Sequence, residues 1–270
     1  MHGTGNDFVV IDNRDGKINE NKLSEFAKRI CERKFSVGAD GLLLVYDSDV
    51  ADVRMRMFNP DGTEAEMCGN GIRCFAKFCY ENRITRKKEL KMETLAGVKT
   101  TWLSINRGEV ESVKVDMGQA SFDRKTIPMS GEGQFINEKL EVNGKTYAVT
   151  CLSVGNPHCV LFVDNVNVFP VREVGPQIEN HKAFLKRINV EFVQVINRKE
   201  IKIRVWERGA GETLACGTGA CASAVASHAL GKTDREMTVH VLGGDLQILY
   251  DHDIFMIGPA VKVFVGALFS

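Results

Sequence analysis

Two short runs gather the groups in this chain that could do chemistry. Cys68-Gly-Asn-Gly-Ile-Arg-Cys74 and Cys216-Gly-Thr-Gly-Ala-Cys221 each set a thiol directly before a glycine-rich entry to a helix. The first N–H groups of a helix have no intrahelical acceptor and carry the positive end of its dipole, so they bind anions, carboxylates included. The glycines let a ligand approach the backbone closely, and the same field favours a thiolate over a thiol. A thiolate and a thiol on opposite sides of one carbon can take a proton from one face and return one to the other, inverting the centre. Two buried cysteines at helix starts remain the plainer alternative. Duplication of the Cys-Gly-x-Gly pair favours the acid/base reading over it.

The runs belong to a longer internal repeat. At an offset of 148 residues Phe58 aligns with Trp206, Glu64 with Glu212, Cys68 with Cys216, Gly69 with Gly217 and Gly71 with Gly219. Arg54 and Arg56 align with Lys202 and Arg204 in segments of strand-like alternation. Earlier, Gly5-Asn6-Asp7-Phe8 echoes Gly155-Asn156-Pro157-His158 at an offset of 150. These matches point to two similar α/β halves of about equal size, whose loops would face one another across a cleft if the halves are related by pseudo-two-fold symmetry.

Elements to position the two runs can be read around them. Strand patterns cover Leu42–Tyr46, Val53–Phe58, Val98–Ile105, Val110–Val115, Tyr147–Val154, Cys159–Val163, Val190–Ile196, Ile201–Trp206 and Met237–Val241, with a further strand-like tail at Val261–Phe269. Helices are expected at about Lys22–Arg33, Gly69–Asn82, Val171–Asn180 and Gly217–Leu230, with Gly231 placed as a C-terminal cap. The helix opened by Gly217 is small or apolar nearly all round, the pattern of a central helix enclosed by sheet. The polar stretch Asp116–Lys125 marks the boundary between halves.

Composition removes several classes of function. The 270 residues carry 35 basic and 35 acidic side chains, a net charge of zero. Neither nucleic acid nor an anionic membrane surface has an electrostatic claim on such a chain. No apolar run reaches membrane-spanning length and the N-terminus lacks a secretory pattern, so a cytoplasmic location is expected. There thiols stay reduced. The eight cysteines, at 31, 68, 74, 79, 151, 159, 216 and 221, include no C-x-x-C pair. The chain also has no H-x-x-x-H or H-E-x-x-H, so no metal site is expected. Cys31 completes a helical apolar stripe with Leu23, Phe26, Ala27 and Ile30 and reads as core. Cys74, Cys79 and Cys221 read as helix interior. Lys87 and Lys88, with Arg83 and Arg86, read as a solvated helix end and turn.

At these residues the chain resembles the diaminopimelate epimerases. The matching segments are His2-Gly-Thr-Gly-Asn-Asp-Phe8, Phe58-Asn-Pro-Asp-Gly62, Cys68 to Cys74, Gly155-Asn-Pro-His158, Asn189-Val190, Glu207-Arg-Gly-Ala-Gly-Glu-Thr213 and Ala215-Cys-Gly-Thr-Gly219. The resemblance implies an α/β (α+β) fold of two pseudo-symmetric domains, each a curved mixed sheet around a central helix, with the active site between them. Residues 1–117 would form the first half, a tail strand at about 261–270 would return to it, and 118–260 would form the second.

The implied activity is cofactor-independent interconversion of LL- and meso-diaminopimelate, in lysine and cell-wall precursor synthesis. Cys68 and Cys216 would be the acid/base pair. Asn6, Asn59, Asn156, Asn189, Glu207 and Arg208 would bind substrate. Gly69, Asn70, Gly217 and Thr218 would supply the anion-binding turns, and His158 and Glu207 would tune the thiols. The asparagines could instead be turn residues, Arg208 a surface charge and His158 a structural histidine. The expected partner is a small-molecule amino acid, with no nucleic acid and no membrane; a homodimer is left open. The family's several residues ahead of the His2 segment are missing here, so a short opening strand is expected. Leu185 stands where the family often has proline. Gly41 stands where some members have a polar side chain, and it is left out of the site.

A proline-racemase-like isomerase and a non-catalytic binding module for small carboxylates are the alternatives. Substrate choice separates the first, and solvent exchange at Cα the second.

Overall fold

The computed structural model describes residues 1–268 and divides into two units, Met1–Asp116 with the chain from Ile257 onward, and Met117–Met256. Four α-helices are described: α1 (Leu23–Cys31), α2 (Gly69–Glu81), α3 (Val171–Glu179) and α4 (Gly217–Ala229). Each lies within about two residues of its sequence expectation.

In the first unit the opening strand is only His2–Gly3, antiparallel to Asn6–Asp12. Met1 reinforces that pairing, since its ammonium donates to the Phe8 carbonyl at 2.9 Å. Asn6–Asp12 runs parallel to Gly41–Tyr46, which is antiparallel to Val53–Phe58, which is parallel to Glu89–Thr94. Gly97–Asn106 and Glu109–Gly118 continue antiparallel. The second unit repeats the central order. Pro157–Phe162 is parallel to Asn189–Asn197, then antiparallel to Glu200–Glu207, parallel to Glu236–Val241 and antiparallel to Gly244–Tyr250. Phe8 pairs with Gly41 as His158 pairs with Asn189, so the two registers coincide.

Each sheet is covered on both faces, and strand alternation sorts its side chains between them. Leu42, Leu44 and Phe58 pack with Leu23, Ala27, Ile30 and Cys31 of α1. Leu43 points the other way, against Gly71 of α2. In the second unit Val190 and Phe192 pack with Val171, Val174 and Ile178 of α3, and Glu191 points to Gly219 of α4. The helix α4 is buried through Ala220–Ser227. Its Ser223 and Ser227 hydroxyls donate to the Gly219 and Ser223 carbonyls at 2.8 and 2.7 Å, so burial leaves neither unsatisfied. Gly231 adopts φ +69°, and Lys232 N donates back to Ser227 O, which closes the helix as the sequence suggests.

One expectation needs correcting. The tail does not form a strand at 261–268: Val261 makes a single antiparallel bridge to His2, and residues 262–268 have no regular structure. Its apolar alternation finds no sheet face to cover, and Val263, Phe264 and Val265 stay exposed. The last residues of that expectation, 269 and 270, lie outside the described chain.

Candidate active site

The first unit builds its half-site at the start of α2. Cys68 is the N-cap residue in extended conformation, with φ −134° and ψ 124°. The helix begins with Ile72 N donating to Cys68 O at 2.9 Å. The thiol is half-buried and lies 3.5 Å from Asn6 Oδ1. Asn70 Nδ2 donates to that same oxygen at 3.4 Å, and Asn6 Nδ2 donates to Asp40 at 2.8 Å. Asp40 and Asp7 share the guanidinium of Arg33. Thr4 donates to Asn70 Oδ1 at 3.3 Å.

Behind the turn Arg73 is fully buried, donating to Gly69 O at 3.0 Å, to Thr4 Oγ1 at 3.3 Å and to Pro259 O at 3.1 Å. Asn59 stands apart in a tight turn. Gly62 there has φ +81° and donates to Asn59 O, and the Asn59 amide donates to Thr63 Oγ1 at 3.0 Å.

The second unit builds its half-site at the start of α4. Cys216, also an extended N-cap, accepts from Gly219 N at 3.4 Å and lies 3.4 Å from Thr218 Oγ1. It is buried, unlike Cys68. Helix-start N–H groups alone suggested an acidic thiol, but here the balance goes the other way. Burial pushes the Cys216 thiol well above its ordinary range and the charges of Glu207 and Glu191 add to this, against a smaller opposing pull from Thr218 and Gly219 N–H. Cys216 therefore rests as a thiol.

Beneath it, His158 and Glu191 are both fully buried, with Nδ1 and Oε1 2.7 Å apart. His158 Nε2 lies 2.8 Å from Asn156 Oδ1. Asn189 ties two segments, donating to Pro157 O and accepting from Arg208 N, each at 2.9 Å. Glu207 accepts from the Thr213 hydroxyl. The exposed Arg208 side chain donates to Lys186 O at 3.1 Å.

Glu207 and Arg208 sit on a turn that α3 holds in place. Glu179, nearly buried at the end of α3, accepts from Trp206 Nε1 at 2.7 Å and from Gly209 N at 2.9 Å. Gly175 lets α3 approach, since a Cβ there would fall 2.6 Å from Trp206 Cγ. Gly175→Ala is accordingly expected to cost about 1–3 kcal/mol of stability through overpacking. Chemical denaturation checks this, and an unchanged midpoint would show that Trp206 moves aside freely.

The remaining cysteines separate from this pair. Burial pushes Cys31 up to about 11 and Cys74 up to about 12, and it moves Cys79 further in the same direction. They stay protonated near neutral pH as Cys216 does, but none of them opens a helix. Among the described residues none of the eight cysteines forms a disulfide.

Each unit thus gathers its own subset of the expected residues. Asn6, Cys68, Gly69 and Asn70 meet in the first; Asn156, His158, Cys216, Gly217 and Thr218 surround the second. Asn189 opens the strand Asn189–Asn197, Glu207 closes Glu200–Glu207 with Arg208 on the turn that follows, and Asn59 stands apart in its own turn. Sequence reading missed Asp40, Arg73, Glu179 and Glu191, all of which hold those residues in place. The readable signal for Glu191 was a single carboxylate inside the otherwise apolar run Val190–Val193. No described helix is long and apolar enough to cross a membrane.

Comparison with known proteins places these features in a family. The family model described as diaminopimelate epimerase matches residues 1–123 and 150–263. The diaminopimelate epimerase of Moorella thermoacetica is 53% identical over 270 residues, covering 98% of this chain and 96% of the relative. That of Methanococcus maripaludis is 48% identical over 273 residues, covering 99% and 98%. Among solved structures, a hydroxyproline epimerase from Agrobacterium vitis shares the fold at TM-score 0.68 and 13% identity, covering 96% of this chain and 86% of its own. A PhzF-family protein of Bacillus anthracis does so at TM-score 0.67 and 20% identity, covering 96% and 92%.

Proposed function

The chain belongs to the diaminopimelate epimerase family, and on that premise we propose that Cys68 and Cys216 are the acid/base pair inverting one α-carbon of diaminopimelate. The activity is isomerisation of LL- to meso-diaminopimelate without pyridoxal phosphate, a step of lysine and cell-wall precursor synthesis. The observation that carries the residue assignment is the duplicated N-cap. In both units a cysteine precedes a glycine-rich first turn whose N–H groups can receive a carboxylate.

The step balances with two thiol groups. One sulfur enters as thiolate and takes the α-proton; the C–H electron pair stays on carbon as a carbanion. The other sulfur's S–H then protonates the opposite face and leaves a thiolate. Because Cys216 rests as a thiol, it is the proton donor in the first turnover and Cys68 is the base. The α-proton is weakly acidic, so donors aimed at the α-carboxylate must stabilise the developing charge. Gly69, Asn70, Gly217 and Thr218 supply those turns. Asn6, Asn59, Asn156, Asn189, Glu207 and Arg208 are the proposed substrate partners, with Arg208 suited to pair bidentately with a carboxylate. His158 and Glu207 tune the thiols.

The substrate is a free amino acid. The proposal includes neither nucleic acid nor membrane as partner, places the enzyme in the cytoplasm, and makes a homodimer the oligomer to test. In deuterium oxide, under reducing conditions and with no added cofactor, LL-diaminopimelate is expected to yield meso product labelled at Cα. Unlabelled product overturns the two-base scheme.

A further inference from the structure

The two units provide an internal control on what the helix start requires for packing. Gly71 and Gly219 occupy equivalent places in α2 and α4, Gly71 over Phe8 and Leu43 of the sheet and Gly219 over Glu191 and the N-cap Cys216. A Cβ on Gly71 would meet Phe8 at 3.3 Å and Leu43 at 3.4 Å. A Cβ on Gly219 would meet Glu191 Oε1 at 2.8 Å and Cys216 Sγ at 3.4 Å. Since Phe8–Gly41 and His158–Asn189 are matched registers, Phe8 stands where His158 stands, and Leu43 where Glu191 stands. One unit therefore builds this corner from an apolar pair, fully adequate for burial. The other builds it from a histidine and a glutamate, both completely buried.

The polar version is costly. A buried ionisable pair is generally no more stable than hydrophobic residues of similar size. Among the described residues Glu191 Oε2 has no hydrogen-bond partner, a further penalty. Packing does not explain a feature that packing would do without. The pair also ends in a directed chain: Glu191 Oε1 meets His158 Nδ1, and His158 Nε2 meets Asn156 Oδ1. With one proton held between Oε1 and Nδ1, the Nε2–H donates to Asn156 Oδ1, and the Asn156 amide N–H groups are left to face a ligand.

We propose that Glu191 is a positioning residue of the Cys216 half-site, which through His158 fixes the orientation of Asn156 and sets the charge beneath the thiol. The role rests on the two-cysteine reading given above. The charged and titratable groups around this corner come from several elements. They are His158 and Cys159 from Pro157–Phe162, Glu191 from Asn189–Asn197, Glu207 at the end of Glu200–Glu207 and Cys216 at the start of α4. Glu191 itself is pushed upward, first by its burial and then by Glu207, while His158 pulls it back.

Two variants and two readouts test the role. Glu191→Gln keeps the shape and removes the charge. Its kcat/KM is expected to fall about tenfold, and the alkaline limb of its pH profile to move down by about one unit, as the carboxylate that pushes the Cys216 thiol upward is lost. Titration of ¹³Cβ-labelled cysteine, with the Cys216 signal assigned from a Cys216→Ser sample, is expected to show the same downward move. That titration reads Cys216 whether or not the protein epimerises diaminopimelate, so failure of the wild-type assay and failure of this proposal are separate results. The double variant His158→Phe with Glu191→Leu copies the first unit. It is expected to melt no lower than the wild type while losing at least about a hundredfold in kcat/KM. An unmoved Cys216 titration in Glu191→Gln, or a double variant with wild-type turnover, overturns the role.

Discussion

Cys68→Ala and Cys216→Ala are each expected to lower kcat/KM for LL-diaminopimelate by about a thousandfold, within the range that a positioned acid or base supplies. At about 1.4 kcal/mol per decade this is about 4 kcal/mol of transition-state stabilisation for each sulfur. The double variant is expected to be little worse than either single one, because proton removal and proton return act as a unit. Neither substitution should unfold the chain. Cys68 is only half-buried, and at Cys216 the loss is the weak cap to Gly219 N, about 1 kcal/mol. Epimerase assays on the three variants, with circular dichroism as the check on folding, decide the matter. Retained turnover in either single variant would falsify the pairing.

The second large effect concerns stability. Arg73→Ala is expected to destabilise the first unit by about 3–5 kcal/mol. It opens a cavity where one of the largest fully buried side chains sits. It also strips donors from Gly69 O, Thr4 Oγ1 and Pro259 O together. Arg73→Lys is expected to recover only part of this, since an ammonium lacks the planar fork that reaches three separated acceptors. The urea midpoint measures both variants. A midpoint within experimental error of wild type for Arg73→Ala would mean that the α2 turn is held by its other contacts. Because Gly69 O caps the turn beside Cys68, a loss of activity in Arg73→Lys larger than its loss of stability is the accompanying expectation.

Much of the frame was legible because local chemistry and tertiary role agree. The four helices could be placed from glycine-rich starts and from apolar spacing, and the repeat at 148 residues located both cysteines before any fold was considered. Strands were missed where their alternation is diluted. Phe135–Val142 turns charged side chains to solvent for most of its length. Asn6–Asp12 follows directly on a polar turn and a two-residue strand. The tail showed the reverse: Val261, Val263 and Val265 alternate as a strand would, and nothing covers them.

At the site, the groups that do chemistry were readable and the groups that hold them were not. Glu191 contacts His158, 33 residues away, and Glu179 contacts Trp206, 27 residues away. Spacing along the chain carries no trace of such pairings until the sheet register brings them together. The helix-dipole reading of Cys216 failed for the same reason, since the opposing carboxylates arrive from neighbouring strands.

The path of the chain has a consequence for synthesis. The second unit is one continuous stretch, Met117–Met256, and the whole of it is translated before the segment from Ile257 that the first unit needs. The first unit is made first but finished last: Val261 must bridge His2, and Pro259 must meet Arg73. Until that segment is made, the Pro259 carbonyl cannot accept from Arg73 and Val261 cannot bridge His2. The first unit is thus completed only by residues translated after the whole of the second, and that closing segment, though it carries none of the proposed chemistry, acts as its latch.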